Sequence, residues 1–198
     1  MSTIFLAGAA GAIGRRLVPQ LRAAGHTVFG TTRSEAKAHN LQAAGATPVL
    51  VDVFDAGALA RAVANARPAV VIHQLTDLPA GLDPSRMAEA IRRNARIRDE
   101  GTRNLVAAAV AAGARRLVAQ SIAWAYAPGP QPYEEDAPLD LAAEGMRAVT
   151  VRGVAALEHQ VTDAPLEAVV LRYGRLYGPG TGADTLTNPA PVLSLIHI

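Results

Sequence analysis

The chain has 198 residues, half of them hydrophobic and 18% charged, enough for one domain with a single sizeable core. Its formal net charge is only +2, and its arginines are scattered with no basic stripe of interleaved aromatics, so no nucleic-acid partner is expected. Cysteine is absent, which excludes disulfides, thiol catalysis and zinc–thiolate centres; no metal site is expected. The apolar opening Ile4-Phe5-Leu6-Ala7 has no basic stretch before it and runs into glycines, so it reads as a buried strand and not as a leader. No apolar run approaches membrane-spanning length, and a cytoplasmic protein without a membrane partner is expected.

Short apolar runs predict strands at Ile4–Ala7, Thr27–Gly30, Pro48–Val51, Ala69–His73, Leu117–Gln120 and Ala168–Leu171. Their hydrophobicity is nearly continuous, the pattern of strands covered on both faces in a parallel sheet. Helices between them carry one apolar stripe, as in Ile13, Leu17, Leu21 and again in Val154, Leu157, Val161. Start signals stand at Ser34, at Asp55, and at Asp83-Pro84 ahead of a long fourth helix. Strand and helix alternate six times, which predicts an α/β doubly wound parallel sheet, the Rossmann arrangement. The stretch Ala127–Leu141 holds four prolines and the acidic run Glu134-Glu135-Asp136. It reads as a surface loop at the carboxyl end of the fifth strand, either a plain solvated loop or a lid on the substrate side.

Gly8-Ala9-Ala10-Gly11-Ala12-Ile13-Gly14 places Gly-x-x-Gly-x-x-Gly between the first strand and the first helix. There the chain must turn sharply, admit a pyrophosphate to the backbone and pack the helix on the sheet. The amides that open the helix then face the anion. Arg15 and Arg16 lie in the helix's first turn, where the macrodipole disfavours cations unless a phosphate is near. The end of the second strand, Gly30-Thr31-Thr32-Arg33-Ser34, has no acid for a ribose 2′-hydroxyl. Arg33 stands 19 residues after Gly14, at the place from which a guanidinium can grip a 2′-phosphate. NADP is therefore expected, with NAD as the alternative.

The chain resembles the NAD-dependent epimerase/dehydratase family of extended and atypical short-chain dehydrogenases/reductases. The matching segments are Gly8–Gly14, Val51-Asp52-Val53, Val71-Ile72-His73-Gln74, Asn94 with Gly101-Thr102-Arg103-Asn104-Leu105, and Leu171 through Gly178-Pro179-Gly180. The resemblance implies that Asp52 and Val53 contact the adenine and that Gln74, Leu75 and Thr76 line the middle of the cofactor. It also implies that Tyr173 lies near the nicotinamide and that Arg175 faces a small-molecule substrate, a sugar nucleotide or another carbonyl or hydroxyl compound. Asp52 reads equally well as a loop carboxylate, His73 as a satisfied core histidine and Asn94 as a structural residue. Homodimerisation through the long fourth helix and the fifth is also implied.

Active members of that family resemble one another in a Ser or Thr and in a Tyr followed four residues later by a Lys. Aligned on Glu158, the Tyr and Lys places fall on Thr150 and Val154; aligned on Tyr126, the Ser place falls on Ile122. Of 19 basic residues the single lysine is Lys37, far from that place. The usual acid–base pair is thus expected to be missing. Ser121 and Tyr126, with Tyr133, are the substitute candidates in an oxidoreductase; a non-catalytic NADP-binding sensor is the alternative. The domain is expected to span residues 1–180, with 181–192 opening a larger substrate domain. Leu193–Ile198 resembles translated sequencing adapter more than natural protein, so a C-terminally truncated chain with a non-native tail is expected.

Overall fold

Residues 1–79, 83–178 and 195–197 are described by the computed structural model. The β-branched runs form β1 (Thr3–Ala7), β2 (Thr27–Thr32), β3 (Thr47–Leu50), β4 (Val70–His73), β5 (Arg116–Ile122) and β6 (Glu167–Tyr173). All pairings are parallel, in the order β3-β2-β1-β4-β5-β6. The order reverses between β1 and β4, and that reversal opens a crevice at their carboxyl ends. The doubly wound fold expected from the sequence is the one observed. A separate short pair joins β7 (Arg175–Tyr177) to β8 (Leu195–His197). Pro179, Gly180 and the stretch 181–192 lie outside the described residues.

The helices cover the sheet unequally. On one face α1 (Gly14–Ala23) and α2 (Glu35–Ala43) pack Val18 and Leu41 against Ile4, Leu6, Val28 and Ile72. On the other, α3 (Ala56–Ala66), α5 (Thr102–Ala111) and α6 (Gly145–Thr162) pack Leu59, Val63, Leu105, Leu157 and Val161 on Phe5, Val71 and Leu117. Full burial of side chains such as Phe5 and Leu105 contributes about 1.5–3 kcal/mol each. The expected caps form: Ser34 accepts from the Lys37 amide, Asp55 from Ala58 and Asp83 from Ser85. Val169 and Leu171 on β6 stay more than a third exposed. Among the described residues no helix is long and apolar enough to cross a membrane.

The long fourth helix differs from expectation. It begins as α4 (Met87–Arg96), widens into a π-helical turn over Ile97–Gly101 and continues as α5. The wide turn rotates Thr102 back onto the face that carries Asn94. Both can then fasten the end of β4. Asn94 accepts from the Asp77 amide at 3.0 Å and donates to the Asp77 carbonyl at 3.1 Å. Thr102 Oγ1 lies 3.0 Å from His73 Nε2. Periodicity cannot show a π-turn, because the apolar stripe merely shifts by one residue.

His73 is fully buried, and its Nδ1 accepts from the Leu75 amide at 3.3 Å, so Nε2 carries the proton it donates to Thr102. Burial first, then the nearby Arg98 cation, lower its pKa from 6.5 to about 4. The histidine is a satisfied core residue. Because the folded state refuses a proton that the unfolded chain accepts, stability falls as pH drops from 6.5 towards 4 and the loss stops once the folded form protonates. In urea titrations over that window the wild type should lose about 3 kcal/mol more than His73→Gln. Parallel pH dependence of the two proteins would contradict this assignment.

Candidate dinucleotide-binding site

The sharp turn after β1 is built by close backbone approach. Gly8 has φ +88°, and a Cβ there would stand 2.5 Å from the Gln74 carbonyl oxygen. A Cβ on Gly14 would stand 2.5 Å from the Ala9 oxygen, and one on Gly30 would stand 2.8 Å from the Ala9 side chain. Glycine at these places lets the loop, the β4 end and β2 meet without side chains between them. The Gly8 amide donates to Thr31 Oγ1 at 3.0 Å, and the Gly11 amide to the Gly8 oxygen at 3.0 Å. The first bonds of the helix run from Arg15 to the Gly11 oxygen and from Leu17 to the Ile13 oxygen. The amides of Ala12, Ile13 and Gly14 are thus the ones that α1 cannot satisfy internally. They form an anion seat at the positive end of the helix.

A cavity of about 270 Å³ opens beside that seat. Its walls bring together Gly8, Gly11, Arg33, Asp52, Val53, Gln74, Leu75 and Thr76 from four separate strand ends. Ala12, Ile13 and Gly14 belong to the helix start next to it, and Tyr173 reaches it through Gln74. Thr31, Thr32 and Lys37, which sequence reasoning did not select for this wall, also line the cavity. Their signal was available: two hydroxyls at a strand end, and a lysine three residues past the helix cap.

Arg33 is 57% exposed and lies 4.0 Å from Asp52 and 3.8 Å from Asp77. Such long, wet pairs contribute little, so the guanidinium can turn to another anion at small cost. Asp52 Oδ1 accepts from the Phe54 amide at 3.0 Å, which makes it a loop carboxylate whatever else it touches. Val53 packs under the π-turn, within 3.1 Å of where a Gly101 Cβ would be, and its carbonyl accepts from Asn104. Gln74 is 6% exposed and donates from Nε2 to the Tyr173 hydroxyl at 3.3 Å, while its Oε1 is buried with no partner among the described residues.

The other candidates gather at the ends of β5 and β6, on the α6 side. Ser121 is buried and donates to Glu158 Oε1 at 2.5 Å. Arg172 closes on the same carboxylate at 3.0 and 2.8 Å and donates to the carbonyls of Glu135 and Ala137 in the proline-rich loop. The hydrogen bonds to Glu158 hold Arg172 above its ordinary pKa. Its guanidinium lies 4.8 Å from the Tyr126 ring, which stacks on Tyr133, also at 4.8 Å. The loop expected at 127–141 is therefore pinned, with Ala127 bonded to Pro138 and Tyr126 bridged to Leu139. Ile122 packs in an apolar cluster with Ala125, Val151 and Val154. Thr150 donates to the Met146 carbonyl at 3.3 Å. The side chain of Arg175 lies outside the described residues.

Several solved structures with this architecture contain NAD. A "3-diazoavenalumate denitrifying reductase" of Streptomyces sp. is 50% identical over 181 residues, 90% of this chain and 58% of that protein. The chain thus spans less than two thirds of that curated relative. The Bordetella bronchiseptica enzyme WbmG, crystallised with NAD and UDP, is 26% identical with a TM-score of 0.71, covering 90% of this chain and 55% of its own. Thermus thermophilus UDP-glucose 4-epimerase, in complex with NAD, is 25% identical with a TM-score of 0.71, covering 89% and 56%. The resemblance to epimerase and short-chain dehydrogenase folds holds. The residues present fit a dinucleotide: a loop bare of side chains, a helix start for the phosphates and a buried acceptor without a partner. Residues 8–194 match the NAD(P)H-binding family, and the chain belongs to it.

Proposed function

We propose that this chain is the cofactor-binding part of an NADP(H)-dependent reductase that delivers hydride to an acceptor leaving no oxyanion, an aromatic diazo acid fitting best. The observation that carries the reading is the apolar packing of Ile122 with Val151 and Val154. By the family resemblance Ile122 and Val154 occupy the Ser and Lys places, and Thr150, at the Tyr place, is turned back to its own helix. Carbonyl reduction creates an alkoxide that needs a proton, and epimerisation needs a hydroxyl deprotonated first. Neither demand is met by that cluster. When bound, the reduced nicotinamide supplies a hydride, and an aryl diazonium that accepts it gives the arene and dinitrogen with charge balanced and no proton donor required. The named activity of the Streptomyces relative agrees with this chemistry.

The chain's own residues then bind, orient and exclude water. The helix start at Ala12–Gly14 takes the pyrophosphate, and Asp52 and Val53 border the adenosine half. Leu75 and Thr76 wall the middle. Ser121 and Tyr126, the candidates for catalysis by sequence, hold the substrate-side loop through Glu158 and Arg172 in this reading. Arg33 and Lys37 supply two positive charges at the adenosine end for a 2′-phosphate.

Arg33→Glu should weaken NADPH binding at least about tenfold more than NADH binding, since it exchanges a two-bond cation for a repelling carboxylate. Paired fluorescence titrations measure this, and equal effects on both coenzymes would remove the NADP assignment. For the reaction, NADPH oxidation with one equivalent of dinitrogen is expected from 3-diazoavenalumate, the compound in the Streptomyces relative's name. A panel of aldehydes, ketones and sugar nucleotides should give none. Consumption of a carbonyl compound would refute the acceptor class, and tight NADPH binding without turnover of any substrate would favour a sensor.

A further inference from the structure

We infer that Gln74, held in place by Tyr173, reads the carboxamide of the nicotinamide ring through its side-chain oxygen. This rests on the dinucleotide site already described and extends it to the half of the cofactor that site leaves unassigned. Gln74 directly follows β4, is more than nine-tenths buried and lines the cavity. Its amide nitrogen is committed to the Tyr173 hydroxyl at 3.3 Å, which fixes the side-chain plane and turns Oε1 the other way. Oε1 is buried and has no partner among the described residues. A buried carbonyl oxygen without a donor is disfavoured in a folded protein, and its presence in a cavity wall points to a donor on a ligand.

The topology selects the donor. Phosphates at the start of α1 stand over β1, and Arg33, Lys37 and Asp52 mark the adenosine side over β2 and β3. The other half of a dinucleotide must run over β4, β5 and β6. Gln74 after β4 and Tyr173 on β6 are separated by the whole of β5, roughly 10 Å at the usual strand spacing. Their pair arches over the end of β5, on the side of the phosphate seat where the nicotinamide ring would lie. That ring carries one N–H donor group, its carboxamide. An acceptor fixed opposite this group sets the rotation of the ring and hence the face it presents.

The experiment titrates the chain with NADP⁺, with its 3-acetylpyridine analogue, which replaces the amide NH₂ by methyl, and with 2′-phospho-ADP-ribose, which has no ring. The wild type should bind the acetyl analogue about tenfold more weakly than NADP⁺, the loss of one buried hydrogen bond. Gln74→Met should bind the two equally, with unchanged affinity for 2′-phospho-ADP-ribose. Tyr173→Phe, which frees the Gln74 amide and keeps the aromatic ring of residue 173, should reduce the discrimination while leaving 2′-phospho-ADP-ribose unaffected. The inference is overturned if Gln74→Met still discriminates, or if it loses 2′-phospho-ADP-ribose in parallel with NADP⁺, which would mark a ribose contact or a structural role. Failure of the wild type to bind any of the three probes and also NAD⁺ would overturn the dinucleotide site itself, a result distinct from loss of the ring contact alone.

Discussion

The site depends on one constraint, the approach of two main chains with nothing between them. At Gly8 the β1 loop crosses the end of β4 so closely that a single methyl would meet the Gln74 carbonyl. Gly14 repeats the condition against Ala9, and Gly30 extends it to β2. These contacts set the height of α1 above the sheet edge, and so where its unsatisfied amides point. They also fix the start of the β4 loop, whose next residues are held by His73 and Asn94. The anion seat and the ring end of the crevice are therefore parts of one rigid junction. A side chain at Gly8 would disturb both, with added strain from its positive φ.

Most of that junction was legible in the sequence because it is local. Gly8–Gly14 lies within seven consecutive residues between a strand and a helix, and each glycine has a steric reason. The caps at Ser34 and Asp55 are equally local, and both form. Strand limits were less accurate: β2 runs two residues past Gly30, and β5 runs on through Ser121 and Ile122. In both cases polar or loop-like residues continue the ladder because a neighbouring strand supplies the partners. Propensity does not see neighbours.

What depends on distant partners was not legible. The π-turn at Ile97–Gly101 exists to bring Asn94 and Thr102 onto one face, a demand set by β4 some twenty residues earlier. Ser121 looked like a strand-end hydroxyl beside the active edge. Its bond to Glu158 on α6 and the grip of Arg172 on the same carboxylate arise from a helix and a strand far along the chain. The position of Lys37 in the cavity wall beside Arg33 follows from how α2 returns to β2.

The contrast between the two ends of the crevice bears on chemistry. At the adenosine end the polar groups are exposed and loosely paired, as in Arg33, so a charged ligand displaces weak contacts. At the β5–β6 end the charged groups are largely buried and already matched: Arg172 and Glu158 satisfy each other, Ser121 completes the carboxylate, and the loop carbonyls take the remaining guanidinium donor. Recruiting Arg172 or Glu158 as an acid would break this partly buried ion pair before any chemistry begins. The neighbouring Ile122 cluster offers no proton at all. The adenosine end thus offers loosely held charges to an anion, and the β5–β6 end offers a fixed surface. On the proposed function, the acceptor itself disposes of the charge that hydride delivers.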